Sequence, residues 1–251
     1  MPGFKYGQVW KCYMFARDMI GNHNENMIMK RETWEIFRDD FRGKLGEVGL
    51  WNELKEMYPN ADIPEPDFSV SPKGQWDILD LRVDDIIISV KSIKSNADFF
   101  MIETKRFDEN GNFRYRNNDG SPIKIDLHVL VKVGISPEMD ENDMGYSSTK
   151  EIWDNKRIFY KVMGGITHDN FWRLKHIAHR GIKCNKDNLN KACLNLEVET
   201  GNIKTDPKTE VLQQDNYIMS DKSLPNVGYV LESIKQDKIF KNLFADIFNS
   251  I

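Results

Sequence analysis

Apolar residues recur at steps of three and four between residues 31 and 58. They are Trp34, Phe37, Phe41, Leu45, Val48, Trp51 and Leu54. A stripe of this period predicts one long amphipathic helix. Pro59 ends it, because proline cannot continue the helical hydrogen-bond ladder. Three interior glycines leave space around Glu47 for another backbone or a ligand; they are Gly43, Gly46 and Gly49.

Two runs rich in β-branched residues follow, and only Asp84 and Asp85 separate them. The runs are WDILDLRV at residues 76–83 and IIISVKSI at residues 86–93. Strand-like runs around a two-residue polar break predict a β-hairpin. A further strand is predicted at residues 125–135, IDLHVLVKVGI, whose near-continuous apolar character indicates burial on both faces. The sequence also allows a short strand at residues 68–70.

The length of the hairpin turn decides which side chains share a face of the sheet. With a two-residue turn, Asp80 lies opposite Ser89. Cross-strand partners share a face, and so do residues two apart on one strand. Asp80, Ser89 and Lys91 then project to the same side. A three-residue turn reverses this parity and brings Asp77 to that side instead, so the sequence favours Asp80 without excluding Asp77.

Helices are expected in the C-terminal half of the chain. One is predicted over residues 147–165, SSTKEIWDNKRIFYKVMGG, from a capping box of Ser148 and Glu151 to the two glycines. A second is predicted over residues 167–181, THDNFWRLKHIAHRG, and Gly181 closes it. The end of the chain has an apolar helical face of Ile239, Phe240, Leu243, Phe244, Ile247 and Phe248. These patterns predict one domain with an α/β core, in the α+β class, and a largely helical C-terminal half.

Length and composition are typical of a globular protein. The chain has 251 residues, of which 40% are apolar and 29% charged, which argues against disorder. No apolar run approaches the roughly 20 residues of a membrane span. The first residues lack the layout of a secretion signal, and three scattered cysteines are too few for a disulfide framework. We therefore expect a cytoplasmic protein with no membrane partner.

The net charge of −4 argues against a protein that nucleic acid covers throughout. The charge is uneven, since residues 1–150 carry −6 and residues 151–251 carry +2. Eight basic residues and only two acidic ones fall between residues 156 and 187. A cluster of this sign can hold phosphates if its side chains share a face, although such runs are more often solvated helix faces.

An aspartate and a lysine on one face, at the end of a buried sheet, have a clear chemical use. The carboxylate of Asp80 can hold a hard cation such as Mg²⁺, which takes oxygen ligands. The backbone carbonyl of Val90 can add a ligand. The ammonium of Lys91 can orient the attacking water and offset charge that builds on a phosphate. A lysine at a strand end can also simply extend into water.

This arrangement resembles the PD-(D/E)xK nuclease superfamily over roughly residues 40–135, and it is most similar to type II restriction endonucleases. Asp80 matches the hairpin aspartate that binds the metal, and Lys91 matches the lysine that assists the water. Glu47 matches a helix glutamate that often completes the metal site. Ser89 stands where an aspartate or glutamate is usual, so the site has one anionic ligand fewer.

The resemblance implies a restriction-endonuclease-like core, with a mixed central sheet flanked by helices. It implies a single nuclease domain over residues 1–251, with the catalytic core at about residues 31–135 and DNA recognition at about residues 145–251. The implied activity is sequence-specific hydrolysis of phosphodiester bonds in double-stranded DNA. The implied cofactor is Mg²⁺, for which Mn²⁺ can substitute.

The implied partners follow from that activity. A homodimer is expected, because cutting both strands of a palindrome needs two sites related by a two-fold axis. A cognate DNA methyltransferase is expected as a functional companion but not as a bound partner. The residues expected to touch DNA are Lys94, Arg173, Lys175, His176, His179, Arg180, Lys183 and Lys186.

Other interpretations of the same residues stay open. The core could serve a repair or recombination nuclease that reads DNA structure, and Ser89 allows a catalytically inactive DNA-binding relative. A rival motif is the literal E-x-K of Glu103, Thr104 and Lys105, with Asp84 or Asp85 upstream. A zinc site could be drawn from His176, His179, Cys184 and Cys193, but their spacing matches no standard zinc finger.

Overall fold

The computed structural model of the protein describes residues 3–22, 32–70, 80–114, 121, 123–201, 211–212 and 214–249. In these residues the chain forms six α-helices and seven strands. The helices are α1 (Tyr6–Asp18), α2 (Thr33–Met57), α3 (Thr149–Asn155), α4 (His168–Leu174), α5 (Lys186–Cys193) and α6 (Val227–Asn249). The strands are β1 (Leu81–Val83), β2 (Ile86–Lys94), β3 (Phe99–Glu103), β4 (Leu127–Ser136), β5 (Arg157–Thr167), β6 (His176–Ala178) and β7 (Asn216–Ser220).

The main sheet has the strand order β1-β2-β4-β5. β1 and β2 are antiparallel, β2 and β4 are parallel, and β4 and β5 are antiparallel. The predicted mixed α/β architecture with a mixed sheet is therefore confirmed. β4 is buried on both faces along most of its length, as its apolar sequence predicted.

The hairpin between β1 and β2 has the predicted two-residue turn. Val83 pairs directly with Ile86, and Asp84 and Asp85 form the turn. Asp84 adopts a φ of 52°, a left-handed conformation that aspartate tolerates better than most residues. The backbone N–H of Asp84 donates to the carbonyl of Asp62 at 2.8 Å, which ties the turn to the chain that follows α2.

Helix α2 confirms the helix predicted at residues 31–58, and it packs closely on β2. A Cβ atom at Gly46 would lie 1.8 Å from the Oγ of Ser92, and that hydroxyl donates to the carbonyl of Gly43 at 3.2 Å. A Cβ atom at Gly49 would lie 2.8 Å from the ring of Tyr160 on β5. Two of the three glycines therefore serve the contact of the helix with the sheet.

A second sheet, of order β3-β7-β6, packs over the face of the main sheet that points away from α2. Between the two sheets lies a core of Phe100, Ile102, Phe107, Leu130, Ile166, Phe171 and Met219. The sequence did not predict β3. Residues 68–70, where a short strand was allowed, form no strand.

The helices predicted at residues 147–165 and 167–181 are wrong beyond Asn155 and Leu174, where α3 and α4 end. Ser148 caps α3 as predicted, accepting the N–H of Glu151, but the chain then continues as β5. In β5 alternate residues face the core, among them Ile158 and Tyr160, and that is a strand period. α4 likewise ends at Leu174 and β6 follows. The C-terminal half is therefore mixed α/β and not largely helical.

The helix predicted at the end of the chain is present as α6. Its predicted apolar face, which begins at residue 239, lies beyond the side chains that the structure describes. In the described part of the chain, every helix is too short or too polar to cross a membrane.

Candidate active site beside the hairpin

Asp80 lies where the β1–β2 ladder ends. The last antiparallel pair is Leu81 with Ile88, so the next position places Asp80 beside Ser89, as the two-residue turn predicted. The Oδ2 atom of Asp80 accepts the backbone N–H of Val90 at 2.6 Å. A carboxylate thus takes the place of the next strand residue and is fixed against the edge of β2.

The backbone of Val90 fits the ligand role that the sequence suggested. The N–H and C=O groups of one strand residue point to the same edge of the strand. Because the N–H of Val90 is bonded to Asp80, the carbonyl of Val90 is directed to that same edge.

Lys91 lies one residue further along β2, on the same face as Ser89, and the residue is exposed. The surrounding protein still removes enough water from its ammonium to lower the pKa of Lys91, and the positive charge of Arg106 lowers it further. Three carboxylates oppose this shift, in the order Glu103, Asp80 and Asp39. The charges that act on Lys91 therefore come from three parts of the chain.

β3, which ends at Glu103, runs back over the sheet. Asp98, just before β3, has its carboxylate 3.2 Å from the ammonium of Lys132 on β4. Two residues later, the ring of Phe100 lies 6.2 Å from that of His128, near the start of β4. His128 pairs with Ser89 in the β2–β4 register. β3 therefore returns to the level of the hairpin residues before it ends at Glu103.

The carboxylate of Glu103 is held by three donors. Lys105 and Arg106 each approach its Oε2 at 3.4 Å, and the amide of Gln214 donates to its Oε1. Partial burial acts to raise the pKa of Glu103, but Arg106, Lys105 and Gln214 outweigh it and hold the pKa below its usual value. The acid of the rival E-x-K motif is therefore held by its own neighbours, and Lys105 is 68% exposed.

Glu47 lies in a different environment on α2. It forms an ion pair of 2.7 Å with Lys44, which also donates to the carbonyl of Asp67. Its charge acts on Cys12 of α1. The side chain of Glu47 is 13% exposed. The α2 carboxylate whose charge is prominent at Lys91 is that of Asp39, two turns earlier.

Asp77, the alternative metal ligand, lies outside the described residues. Within the ranges that the structure describes, no group of three or more His, Cys, Asp or Glu side chains is arranged to hold a metal ion. The donors near Lys91 are carboxylate and carbonyl oxygens, the ligands that Mg²⁺ takes. Because Mg²⁺ often uses one or two carboxylates and completes its shell with water and phosphate, this set fits that ion.

The residues predicted to touch DNA are spread over several elements, and some form ion pairs. Lys183 pairs with Glu199 at 3.2 Å, Lys186 pairs with Asp98, and His179 lies 3.6 Å from Asp215. Lys156, in the same basic run, is buried and lies 2.7 Å from Asp143. These partners reduce the local positive charge that the sequence indicated.

The other predicted DNA contacts have varied surroundings. Lys94 is exposed at the end of β2. Arg173 donates to the side chain of Asn170, and the ammonium of Lys175 lies 3.5 Å from the ring centroid of Trp172. The ring of His176 contacts Asn195, and the backbone N–H of Arg180 donates to Asp215.

Arg106 and Asp39 were not among the candidate residues from the sequence. Arg106 follows β3 in a turn whose sequence resembles an ordinary surface loop, and its charge acts on Lys91 although the two residues lie far apart in sequence. Comparisons of the chain with protein-family models, curated proteins and solved structures give no match.

Proposed function

We propose that this protein is a Mg²⁺-dependent endonuclease that hydrolyses phosphodiester bonds in double-stranded DNA, of the type II restriction kind. The observation that carries the proposal is the hairpin geometry. The two-residue turn aligns Asp80 with Ser89, and the 2.6 Å bond from Val90 fixes the carboxylate one residue from Lys91. A fixed carboxylate and an ammonium at the end of a sheet are what metal-assisted phosphate hydrolysis requires.

Each residue has a distinct task in this mechanism. Asp80 and the carbonyl of Val90 would hold the cation, which supplies a Lewis acid and lowers the pKa of a bound water. The ammonium of Lys91 donates hydrogen bonds to the attacking water or to a phosphate oxygen. Arg106, whose positive charge acts on Lys91, adds a second cation to offset the charge of the phosphate. The rigid sheet keeps these groups in place before substrate arrives.

The grip on DNA is assigned to Lys94 at the end of β2 and to basic side chains of the C-terminal half. Those of the predicted set without an acidic ion-pair partner among the described contacts are Lys94, Arg173, Lys175, His176 and Arg180. Their phosphate contacts would make binding weaker as salt rises. A homodimer would provide the two equivalent sites that cutting both strands requires.

One observation favours a second candidate, a DNA-binding relative that has lost catalysis. Ser89 replaces the usual acid, and the described residues include no group of three metal-ligating side chains. Such a protein would bind duplex DNA with the same basic residues and never cut it.

The deciding experiment is the digestion of supercoiled plasmid by wild type and Lys91→Ala in Mg²⁺ or Mn²⁺. Discrete bands from wild type, lost in Lys91→Ala, support a sequence-specific nuclease with this site. Bands that persist unchanged in the variant contradict the site assignment. Cutting confined to branched or flapped DNA supports a structure-specific nuclease instead. Binding without cutting, over a wide range of protein and metal concentration, supports the inactive relative.

A further inference from the structure

Two lysines of helix α6 contact the turn of the hairpin. Lys235 and Lys238 are three residues apart on the helix, so their side chains share a face of α6. The ammonium of Lys235 lies 3.3 Å from the carboxylate of Asp84. That of Lys238 donates to the carboxylate of Asp85 at 3.0 Å and to the backbone carbonyl of the same residue at 3.1 Å. Both residues of the turn are therefore held by the C-terminal helix.

Lys238 also connects the turn to the next strand of the main sheet. Its ammonium lies 3.7 Å from the Oδ2 atom of Asp126, the residue immediately before β4. The same Oδ2 atom accepts the backbone N–H of Ile87 at 2.9 Å, and the N–H of Asp126 donates to the carbonyl of Ile87 at 2.9 Å. One ammonium therefore joins α6, the hairpin turn and the start of β4.

α6 is a firm support for these contacts because its first turns belong to the main core. Four of its apolar side chains are buried there, and they are Val227, Val230, Leu231 and Ile234. The two lysines are partly buried as well, since the side chains of Lys235 and Lys238 are 27% and 30% exposed. The ammonium of Lys235 also lies 4.5 Å from the ring centroid of Tyr58, which follows α2.

We infer that Lys238, assisted by Lys235, positions the hairpin so that the carboxylate of Asp80 meets the N–H of Val90. The two lysines act through the hairpin and not on the substrate, and their effect on cleavage rests on the proposed nuclease function. β1 has three residues and lies at the edge of the main sheet, beside β2. A pairing this short is marginal by itself, so β1 depends on the contacts at its two ends. These are the turn, held by α6, and the bond between Asp80 and Val90.

The amide hydrogen exchange of Val90 measures the placement of Asp80 without DNA or metal. Lys238→Met keeps most of the side-chain length but removes the charge and the donors. It should speed the exchange of the Val90 N–H by about 3- to 10-fold and leave the amides of β4 unchanged. Lys238→Arg keeps the charge and the donors and should restore slow exchange. The matched control is Lys150→Met, which removes an exposed ion pair within α3 and should exchange as wild type does.

Plasmid cleavage measures whether this placement serves catalysis. Lys238→Met should lower kcat by about 10-fold or more, because small displacements of a reacting group are costly. The KM for plasmid should stay near the wild-type value, since Lys238 is not assigned to DNA. Lys238→Arg should recover most of the rate. A lysine that contributed only to global stability would leave kcat per folded molecule unchanged.

The two measurements separate this inference from the proposed function. Exchange at Val90 that stays slow in Lys238→Met overturns the inference. Exchange that rises equally in β4 also overturns it, because that pattern shows general destabilisation. Faster exchange at Val90 with unchanged cleavage overturns it too, while the nuclease proposal stands. Faster local exchange in a protein whose wild type never cuts DNA supports the positioning of Asp80 and contradicts the nuclease.

Discussion

The Nε2 atom of His128 and the Nδ1 atom of His168 lie 3.0 Å apart in the core between the two sheets. The Nε2 atom of His168 lies 2.9 Å from the carbonyl oxygen of Gly111, which can only accept, so a neutral His168 accepts from His128. The remaining nitrogen of His128, Nδ1, is buried and has no hydrogen-bond partner among the described residues. Burial, and then the proximity of His168, lower the pKa of His128 to about 3.

This pair predicts a loss of stability in mild acid. The imidazole of an unfolded chain takes up a proton near pH 6.5, whereas His128 in the folded protein does so only near pH 3. Its contribution is therefore complete above pH 6.5 and is lost as the pH falls toward 3. Between pH 7 and pH 5, this group alone should lower the free energy of unfolding by about 2 kcal/mol.

Urea denaturation of wild type and His128→Gln at the two pH values checks this prediction. His128→Gln should be less stable at pH 7 but should lose about 2 kcal/mol less than wild type on going to pH 5. His179→Gln is the matched control, because His179 is exposed, and it should keep the wild-type dependence. Equal pH dependence in wild type and His128→Gln would show that His128 is not held neutral.

The close approach of α2 and β2 makes two neighbouring glycines differ sharply. Gly46→Ala should lower the free energy of unfolding by about 1–3 kcal/mol, because its Cβ meets Ser92. Gly43→Ala has nothing within 4 Å of its new Cβ and should raise stability by up to about 1 kcal/mol. Chemical denaturation of both variants measures the contrast. Equal effects of the two substitutions would contradict the packing of this helix on β2.

Asp80→Asn removes the negative charge of Asp80 but can keep its hydrogen bond with the N–H of Val90. An asparagine still offers an oxygen to the N–H of Val90, so the unfolding free energy should change by less than about 1 kcal/mol. The lost anion should lower DNA cleavage by about 100-fold or more. Calorimetry and plasmid digestion on the same preparation test both halves. A stable variant that cleaves normally would remove Asp80 from the mechanism.

Lys156 and Lys183, both in the basic run, should differ in how much they stabilise the fold. Lys156→Met leaves the buried carboxylate of Asp143 without its partner at 2.7 Å, and should destabilise the fold by about 3–5 kcal/mol. Lys183→Met removes a pair with the exposed Glu199, and should cost less than about 1 kcal/mol. Thermal unfolding separates them. DNA affinity per folded molecule should stay at the wild-type value in the Lys156 variant, and a change there would contradict its structural role.

The local pattern of apolar and polar residues was enough to predict the hairpin and the helix and strand that pack beside it. The apolar stripe of α2, the burial of β4 and the turn at Asp84 and Asp85 are all set by neighbours in sequence. The length of the turn decides which residues lie opposite each other and which face of the sheet they share. The alignment of Asp80 with Ser89 was therefore predictable. The glycines of α2 were noticed, but their partner Ser92 lies on another strand and could not be identified.

Pattern failed where local propensity and tertiary context disagreed. Residues 157–163 contain a run that can match a helical or a strand period, and antiparallel pairing with β4 decided for a strand. β3 is short and lies between polar segments, so its period carried little signal. The charges of Arg106 and Asp39 act on Lys91 from distant parts of the sequence, and no local pattern indicates this.

β1 begins only at Leu81, while β2 continues six residues past Ile88, the partner of Leu81. Past that pair the antiparallel ladder stops, and the carboxylate of Asp80 accepts the N–H of Val90. A ladder that continued past this pair would bond the backbone of Val90 to a neighbouring strand and not to a carboxylate. The shortness of β1, which gives little stability in itself, is what gives the N–H of Val90 a carboxylate as its partner in place of a neighbouring strand.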